Sequence, residues 1–192
     1  MGFNLGMKVK FDIASVEGLG VILTGDVFLN TLQSDVSDKF EKIYGNDVDL
    51  TLPKYLNIPI MVGANYTYNI SNSFGIYGEG AVGLNIQKTT NFVASADYDG
   101  EEYKVTSKFD LATSLGFQIG AGVIFNEKFS IGLHYYALGT NKLKGKTTDN
   151  SDESGYDDYD WKAGKEAEDN DDTFKGGKLT TGMLALRLGF HF

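Results

Sequence analysis

Seven stretches of the chain carry an apolar residue at every second position, and this alternation restricts the fold more than any other feature. Successive side chains of an extended strand point to opposite faces, so the pattern predicts strands with one apolar and one polar face. In the last stretch, for example, Leu184, Leu186 and Leu188 alternate with small or polar residues. Helical spacing is hard to find, so we expect an all-β fold with strands near 2–13, 18–30, 55–70, 74–88, 106–125, 129–144 and 179–192.

The connections between these strands alternate in length. Tight turns are expected at 14–17, 71–73 and 126–128, and long loops at 31–54, 88–107 and 145–178. The pair Asp99-Gly100 suits a two-residue hairpin turn because glycine accepts positive φ, so the strands beside it are expected to continue as a ribbon. The loop at 145–178 is nearly all polar and is expected to be mobile, since it buries too little apolar surface to offset its ordering entropy.

The polar faces consist mostly of Gly, Asn, Thr, Ser and Ala, with few charges in each strand. A strand face that meets water usually carries many Lys and Glu residues, whereas a narrow barrel interior is filled by its own side chains. Aromatic residues also gather near the tight turns, as in the interfacial girdle of a membrane barrel. They are Phe74, Phe125, Phe129, Phe190 and Phe192.

These features predict one domain over 1–192. It is an antiparallel up-and-down transmembrane β-barrel of the eight-stranded type, with seven strands recognisable and the long loops 31–54, 88–107 and 145–178 outside. A soluble lipocalin-like ligand-binding barrel is the alternative, because its strands alternate too.

Composition excludes several other classes. A net charge of -9 argues against binding nucleic acid, whose phosphates require a basic surface. The absence of cysteine excludes disulfides and thiolate metal sites, and no cofactor is expected. No apolar run approaches the roughly 18 to 20 residues of a membrane helix. The segment MGFNLGMKVKF lacks the apolar region of a signal peptide, which an exported protein is expected to have had removed.

Charged residues of both signs fall on the predicted inner faces. An isolated buried charge costs several kcal/mol, so we expect them to pair into a network that fills the lumen, in preference to a path for ions. The predicted interior network comprises Lys8, Lys10, Asp12, Asp26, Glu79, Lys108, Asp110 and Arg187.

Catalytic chemistry is not expected, although a membrane-embedded lipid hydrolase or acyltransferase is a second alternative. Such an enzyme needs a serine beside a histidine, and the chain has two histidines, His134 and His191. Ser130 shares a face with His134, but four strand residues separate them by about 13 Å, too far for direct pairing. A serine hydroxyl within hydrogen-bonding reach of either histidine would favour the enzyme.

Two further motifs are weak. The acidic loop offers hard oxygen ligands for a divalent cation, but the EF-hand spacing fails because Gly155 is misplaced and no glutamate stands at the twelfth position. The possible ligands are Asp149, Asp152, Glu153, Asp157, Asp158 and Asp160. The glycine-rich run GIYGEGAVG precedes no predicted helix, so it does not indicate a phosphate-binding loop.

The C-terminal stretch resembles the assembly signal of bacterial outer-membrane proteins, which the barrel-insertion machinery recognises. The matching residues are Leu184, Leu186, Leu188, Phe190 and Phe192. The segment YLNIPI at 55–60 also resembles the "YLEIPL" strand of PorT-like barrels of Bacteroidota, and GIYGEGAVGLNI and LGFQIGAGVIF fit the same pattern.

This resemblance implies a barrel in the bacterial outer membrane, with lipid and lipopolysaccharide around it and its long loops extracellular. PorT-like, OmpA-like and OmpX-like barrels serve as anchors, adhesins or components of envelope complexes. The resemblance therefore implies a non-enzymatic structural or surface-interaction role, with no catalytic residue to transfer.

The number of predicted strands is odd, whereas single-chain bacterial barrels have an even number. Counting back through the alternating connections gives 2–13 and 179–192 the same direction, so these two could close a barrel only as a parallel pair. We therefore expect an eighth strand ahead of Met1, or another segment in its place.

Overall fold

The computed structural model describes residues 2–31, 48–98, 101–149, 157–162 and 178–191, and these contain β-strands and turns. Within them, no helix is long and apolar enough to cross a membrane. The strands are β1 (Gly2–Asp12), β2 (Leu19–Thr31), β3 (Val48–Thr51), β4 (Lys54–Ser71), β5 (Phe74–Thr89), β6 (Phe92–Tyr98), β7 (Glu101–Phe109), β8 (Ala112–Phe125), β9 (Phe129–Lys142), β10 (Lys144–Asp149), β11 (Asp157–Lys162) and β12 (Lys178–Phe190).

Seven long strands form the first sheet, in the order β1-β2-β4-β5-β8-β9-β12. Each neighbouring pair is antiparallel and the order follows the chain, so the sheet is an up-and-down meander. The sheet is curled. Its curvature brings Arg187 of β12, at one end of the strand order, into contact with Asp26 of β2, near the other end. The expected all-β antiparallel barrel wall is confirmed, with every predicted strand present.

The curled sheet carries its polar side chains inside and its apolar side chains outside. Along β2, Ile22 and Thr24 are buried, whereas Val21 and Leu23 are exposed. The same two-residue alternation of burial runs through β4, β5 and β9. A small apolar cluster lies in the lumen and comprises Ile22, Phe28, Met61, Ala81, Tyr136 and Leu138. The inward and outward faces follow the period-two pattern of the sequence.

Pro59 interrupts one of these ladders. It lies in β4, and proline has no amide hydrogen to donate to a neighbouring strand. The pairing of β2 with β4 runs to Gly25 opposite Ile60 and resumes at Phe28 opposite Asn57, so it skips the residues facing Pro59.

A bulge in β9 changes which residues face inward. Thr140 pairs with Thr180 and Ala137 with Gly182, so two residues of β9 lie opposite one of β12. Gly139, within the bulge, has φ +79°, a conformation that glycine adopts without a Cβ penalty. As a result both Leu138 and Asn141 are buried, although an uninterrupted strand would place them on opposite faces.

Five shorter strands form a second sheet, in the order β11-β10-β7-β6-β3. The residue pairing of the first sheet continues into the second sheet without a shift. Gln87 pairs with Ala112 across β5 and β8, and five residues further along Phe92 pairs with Ser107 across β6 and β7. The register is likewise kept from β4–β5 into β3–β6 and from β8–β9 into β7–β10. The second sheet is therefore an extension of the barrel wall on the side of the long connections.

This extension corrects the prediction of three long loops. The range 31–54 contains β3, 88–107 contains β6 and most of β7, and 145–178 contains most of β10 and all of β11. The expected ribbon is confirmed, since Tyr98 pairs with Glu101, and the turn residues Asp99 and Gly100 lie outside the described residues. Within 145–178, β10 and β11 pair as a hairpin, and the rest of 150–177 lies outside the described residues. The mobility of this segment stays a prediction.

A substitution at Gly83 tests how closely the strands of the wall are packed. A Cβ at Gly83 would overlap the backbone of Ile60 and Met61, whereas a Cβ at Gly78 on the same strand would meet nothing within 4 Å. We expect Gly83→Ala to lower the free energy of unfolding by about 1 to 3 kcal/mol, because neighbouring backbone must shift. Urea unfolding followed by circular dichroism measures this, with Gly78→Ala as the matched control. Equal midpoints for both variants would contradict the assigned packing.

Candidate functional site

Glu79 is the centre of one polar cluster inside the barrel. Its carboxylate accepts a hydrogen bond from Lys8 Nζ at 2.6 Å, and its side chain is fully buried. Asn65 Nδ2 donates to it at 3.2 Å and Gln118 Nε2 at 3.5 Å. These donors come from β1, β4 and β8, so one carboxylate on β5 connects four strands across the interior.

A second cluster joins Asp26, Tyr136 and Arg187. Arg187 Nη2 lies 2.8 Å from Asp26 Oδ1, and Arg187 Nη1 donates to Tyr136 Oη at 2.8 Å. Tyr136 Oη in turn donates to the other carboxylate oxygen of Asp26 at 3.3 Å. Asp26 lies opposite Gly6 on β1, and a Cβ at Gly6 would overlap the Asp26 carboxylate. A glycine at this position thus makes room for the ion pair.

His134 lies between the two clusters. Its Nε2 is 3.2 Å from Tyr77 Oη, and its Nδ1 is 3.5 Å from Glu79 Oε1 without forming a hydrogen bond. The His134 ring stacks against Tyr136, with 6.4 Å between ring centroids. Lys8 Nζ lies 5.1 Å from the centre of the Tyr77 ring. The interior therefore holds one continuous layer of charged and aromatic groups.

Buried amides fill the lumen between this layer and the second sheet. Asn85 Nδ2 donates to Asn57 Oδ1 at 3.0 Å, and Asn141 Nδ2 donates to Gln87 Oε1. All four of these side chains are at most 2% exposed. They leave the interior polar but filled.

Half of the residues of the predicted interior charge network form ion pairs inside the barrel. Lys8, Asp26, Glu79 and Arg187 form the two interior ion pairs. Lys10 and Asp12 pair with each other at 2.9 Å, but at the rim, where the Asp12 side chain is 77% exposed. Lys108 and Asp110 are exposed, contrary to the expectation that they face the interior. The reason is the interruption of strand structure at 110–111, which puts Lys108 in the extension and not in the barrel wall.

The network has further members that the sequence did not predict. Tyr77, His134 and Tyr136 were not expected to interact with the charges, and neither were Asn65 and Gln118. The alternation alone could have marked each as inward-facing. Their mutual distances depend on how the strands are registered and on how strongly the sheet curls.

Ser130 and His191 form a pair at the tight-turn end of the barrel. His191 Nε2 lies 2.9 Å from Ser130 Oγ, because the pairing of β12 with β9 sets Gly189 opposite Ser130. Burial lowers the pKa of His191, and the charge of Lys8 adds to this effect, while the charge of Glu79 opposes it. A neutral imidazole can accept the hydroxyl proton. Spacing along one strand relates Ser130 to His134. It cannot show that the neighbouring strand β12 places His191 beside Ser130 instead.

Two features of this pair oppose catalysis. Ser130 is 8% exposed, which leaves its hydroxyl little access to a substrate. Among the described residues, no carboxylate accepts a hydrogen bond from His191 Nδ1, whereas a catalytic serine–histidine pair is usually oriented by such a third group.

The acidic segment gives no cation site among the described residues, which contain no group of three or more metal-ligating side chains. The hairpin of β10 and β11 sets the backbone of Asp149 opposite that of Asp157. Asp152 and Glu153 lie outside the described residues. Cation binding by this segment stays a prediction.

The ion pair between Asp26 and Arg187 supplies a test of the interior. Arg187→Gln leaves the Asp26 carboxylate buried without its counter-charge, and we expect it to cost about 3 to 5 kcal/mol of unfolding free energy. The double variant Asp26→Asn, Arg187→Gln should recover most of this loss. Lys10→Gln is the matched control, with an expected cost of about 0 to 1 kcal/mol because its partner is exposed. Urea unfolding measures all three, and equal costs for Arg187→Gln and Lys10→Gln would contradict a buried pair.

The filled lumen predicts that the protein is not a pore. In planar lipid bilayers the purified protein should produce no stable, large conductance steps, because side chains occupy the interior of a barrel with so few strands. A sixteen-stranded porin recorded in the same bilayers is the positive control. Regular single-channel openings from the purified protein would show that the lumen holds a continuous water path.

The chain matches no known protein-family model, no curated protein and no solved structure. The resemblance of the C-terminal strand and of the segment 55–60 to outer-membrane barrels therefore stays a prediction. A function for this protein is therefore inferred from its own residues and their geometry.

Proposed function

We propose that this protein is a non-enzymatic β-barrel of the bacterial outer membrane, serving as a structural anchor or surface-interaction component of the envelope. The observation that carries the proposal is the inverted distribution of polar and apolar side chains. Among the described residues, buried polar or charged side chains outnumber buried apolar ones, and large apolar side chains cover the outside of the first sheet.

The apolar outer surface of the first sheet would raise the free energy of the protein if it faced water. Leu115 and Leu188 are each 78% exposed and Phe3 is 72% exposed, and similar residues follow on every strand of the first sheet. Burying one such side chain contributes about 1.5 to 3 kcal/mol, and soluble monomers rarely expose contiguous apolar patches above a few hundred Å². Contact with hydrocarbon removes this cost, so lipid is the natural surrounding for this surface.

The dimensions of the wall also suit a membrane. A strand crosses the hydrocarbon with about 9 to 11 residues. Strand β1 has 11 residues, β12 has 13 and β8 has 14. Near the tight turns, two aromatic ring pairs lie on the outside, Phe74 with Phe125 at 5.5 Å and Phe129 with Phe190 at 5.3 Å between centroids. This arrangement supports an interfacial girdle on the periplasmic side.

The second sheet would then project from the opposite side, outside the cell. It extends the barrel wall on the side of the long connections, which in outer-membrane barrels is the extracellular side. Its position favours contact with lipopolysaccharide or with other envelope and surface partners. We also propose that the barrel-assembly machinery inserts this protein into the outer membrane.

The interior argues against a soluble ligand-binding barrel. A lipocalin-like protein keeps its apolar face inward around a ligand cavity and its polar face in water. Here Asp26, Glu79 and His134 are buried inside, and Leu133 and Leu186 are exposed outside. The observed faces are the reverse of those required.

The hydrogen bond between Ser130 and His191 favours a second candidate, a lipid hydrolase or acyltransferase acting at the membrane rim. In such an enzyme His191 would take the proton from Ser130 Oγ as the oxygen attacks the ester carbonyl of a lipid. The pair meets the distance requirement at 2.9 Å. It ranks second because the serine is buried and no described acid orients the histidine.

Substitution at Leu186 separates a lipid-facing surface from a water-facing one. Leu186 is 68% exposed, so in water Leu186→Arg should leave stability within about 0.5 kcal/mol. In phospholipid vesicles we expect it to cost about 2 to 4 kcal/mol, because an arginine near the bilayer centre is poorly solvated. Thr181→Arg, on the inward face of the same strand, is the control and should be milder. Folding titrations in vesicles measure both, and a harmless Leu186→Arg would refute the membrane proposal.

The enzyme candidate is tested with a serine-reactive probe. We expect a fluorophosphonate to leave the detergent-solubilised protein unlabelled, because Ser130 is buried and its histidine lacks an orienting acid. Ser130→Ala and His191→Gln are the controls for any signal. Labelling of the parent protein that both variants abolish would replace the non-enzymatic proposal with the hydrolase.

A further inference from the structure

Two lysines lie directly opposite each other on the outer face of the wall, at the end near the second sheet. Lys142 ends β9, Lys178 begins β12, and the two residues pair across the strands. Both are exposed, whereas Asn141 beside Lys142 is buried, so the lysines share the outward face. Within the described part of the chain, neither ammonium group has an ion-pair partner. Like charges directly opposite on paired strands are destabilising, so an anion between them would be favourable.

Two hydroxyl groups lie beside the lysines on the same face. Thr140 pairs with Thr180, and their side-chain oxygens are 2.8 Å apart on the exposed side of the sheet. Each threonine is two residues from the lysine of its own strand, and residues two apart in a strand share a face. Ammonium and hydroxyl groups both donate hydrogen bonds. These four residues, Thr140, Lys142, Lys178 and Thr180, form a lysine–threonine patch that offers donors to one anion.

The outer surface changes from polar to apolar along the strands that carry the patch. Gly182 follows Thr180 on the outward face, and a Cβ at Gly182 would lie 3.2 Å from the hydroxyl of Tyr135. Leu184, which pairs with Tyr135, and Leu186 beyond it are exposed. The surface thus passes from leucines through a tyrosine hydroxyl and threonine hydroxyls to ammonium groups. Tyrosine at such a boundary is typical of a membrane interface.

The charge of the patch indicates which anion fits it. The chain as a whole has a net charge of -9, but the next exposed position of this face beyond Lys142 is another lysine, Lys144. Asp110 lies opposite Lys144, because its backbone N–H donates to the Lys144 carbonyl at 2.9 Å. The unbalanced positive charge is therefore at Lys142 and Lys178. A phosphate monoester carries about -1.5 to -2 charges at pH 7 and three acceptor oxygens, which match two ammonium groups flanked by hydroxyls.

We propose that the lysine–threonine patch binds the phosphate monoester of a membrane lipid, with the acyl chains of that lipid on the outward leucines of β9 and β12. The phosphate bridges the two ammonium groups and accepts hydrogen bonds from the threonine hydroxyls. It thereby removes the repulsion between Lys142 and Lys178. This inference rests on the proposed location in a membrane, since acyl chains reach those leucines only there.

Other anions of the right sign fit the surface less completely. Inorganic phosphate matches the patch but makes no use of the leucines below it. The carboxylates of an acidic polypeptide, such as those between Glu166 and Asp172 of this chain, carry one charge each and need no apolar surface beside them. A lipid phosphate uses both parts of the surface, and the other two anions are competitors in the test.

The proposal is tested by native mass spectrometry of the detergent-solubilised chain, with phosphatidic acid as the probe. Phosphatidylmethanol with the same acyl chains is the comparison lipid, because its phosphate is a diester with one charge, and it should bind more weakly. Lys142→Gln, Lys178→Gln should weaken phosphatidic acid binding about tenfold, since two exposed charge contacts are lost. Lys142→Arg, Lys178→Arg should retain the binding.

The matched control removes two lysines from the opposite end of the barrel, in the double variant Lys10→Gln, Lys128→Gln. It should bind phosphatidic acid as the parent does. Equal binding by the two glutamine double variants would overturn the proposal, and so would equal binding of the two lipids by the parent. Displacement of phosphatidic acid by an equal concentration of inorganic phosphate or of a polyglutamate peptide would assign the lysines to that anion instead and would also overturn it.

Vesicles of pure phosphatidylcholine separate this inference from the proposed location, because they contain no phosphate monoester. The parent and Lys142→Gln, Lys178→Gln should both fold into them. A parent that enters these vesicles but shows no preference for phosphatidic acid refutes the lipid site alone. A parent that stays out of them refutes the membrane location, and the lipid site with it.

Discussion

The ion pair between Arg187 and Asp26 is the contact that fixes the curl of the sheet. These residues belong to strands at opposite ends of the strand order, and the tyrosine hydroxyl of Tyr136 completes their hydrogen bonds from a third strand. The contact brings strands from the two ends of the meander together, with the polar face of the sheet inside and its apolar face outside. The Lys8–Glu79 pair repeats the same principle between β1 and β5.

Ion pairs in such an interior act more by specifying one arrangement than by adding net stability. Removing two charges from water costs about as much as their attraction returns, unless hydrogen bonds satisfy the remaining lone pairs. Here Glu79 gathers donors from β1, β4 and β8, and Asp26 is bonded by both Arg187 and Tyr136. A slip of one residue in any of these strands would turn the partner side chains outward. The network thus selects the register, while the backbone ladders hold the wall together.

Period-two alternation was sufficient to predict the seven wall strands and their inward faces, because a strand has only two faces and each is chemically uniform here. It failed where local backbone geometry breaks the period. Gly139 shifts Asn141 to the inside, and the interruption at 110–111 removes Lys108 from the wall. It also failed for the second sheet, whose short strands lie within long segments that are polar overall. The contact of Ser130 with His191 depends on the register between two strands, which no spacing within one strand can reveal.

The filled lumen and the apolar exterior leave few surfaces for specific recognition. Charges, aromatic rings and amides occupy the interior from Tyr77 to Asn141. The outward face of the wall offers mostly aliphatic and aromatic side chains, which distinguish poorly between partners. The second sheet is different, because it keeps the register of the wall and carries polar side chains. Any partner that this protein distinguishes from others should consequently be recognised by that extension and the segments joined to it, and on the proposed location in the outer membrane the barrel would serve as their anchor.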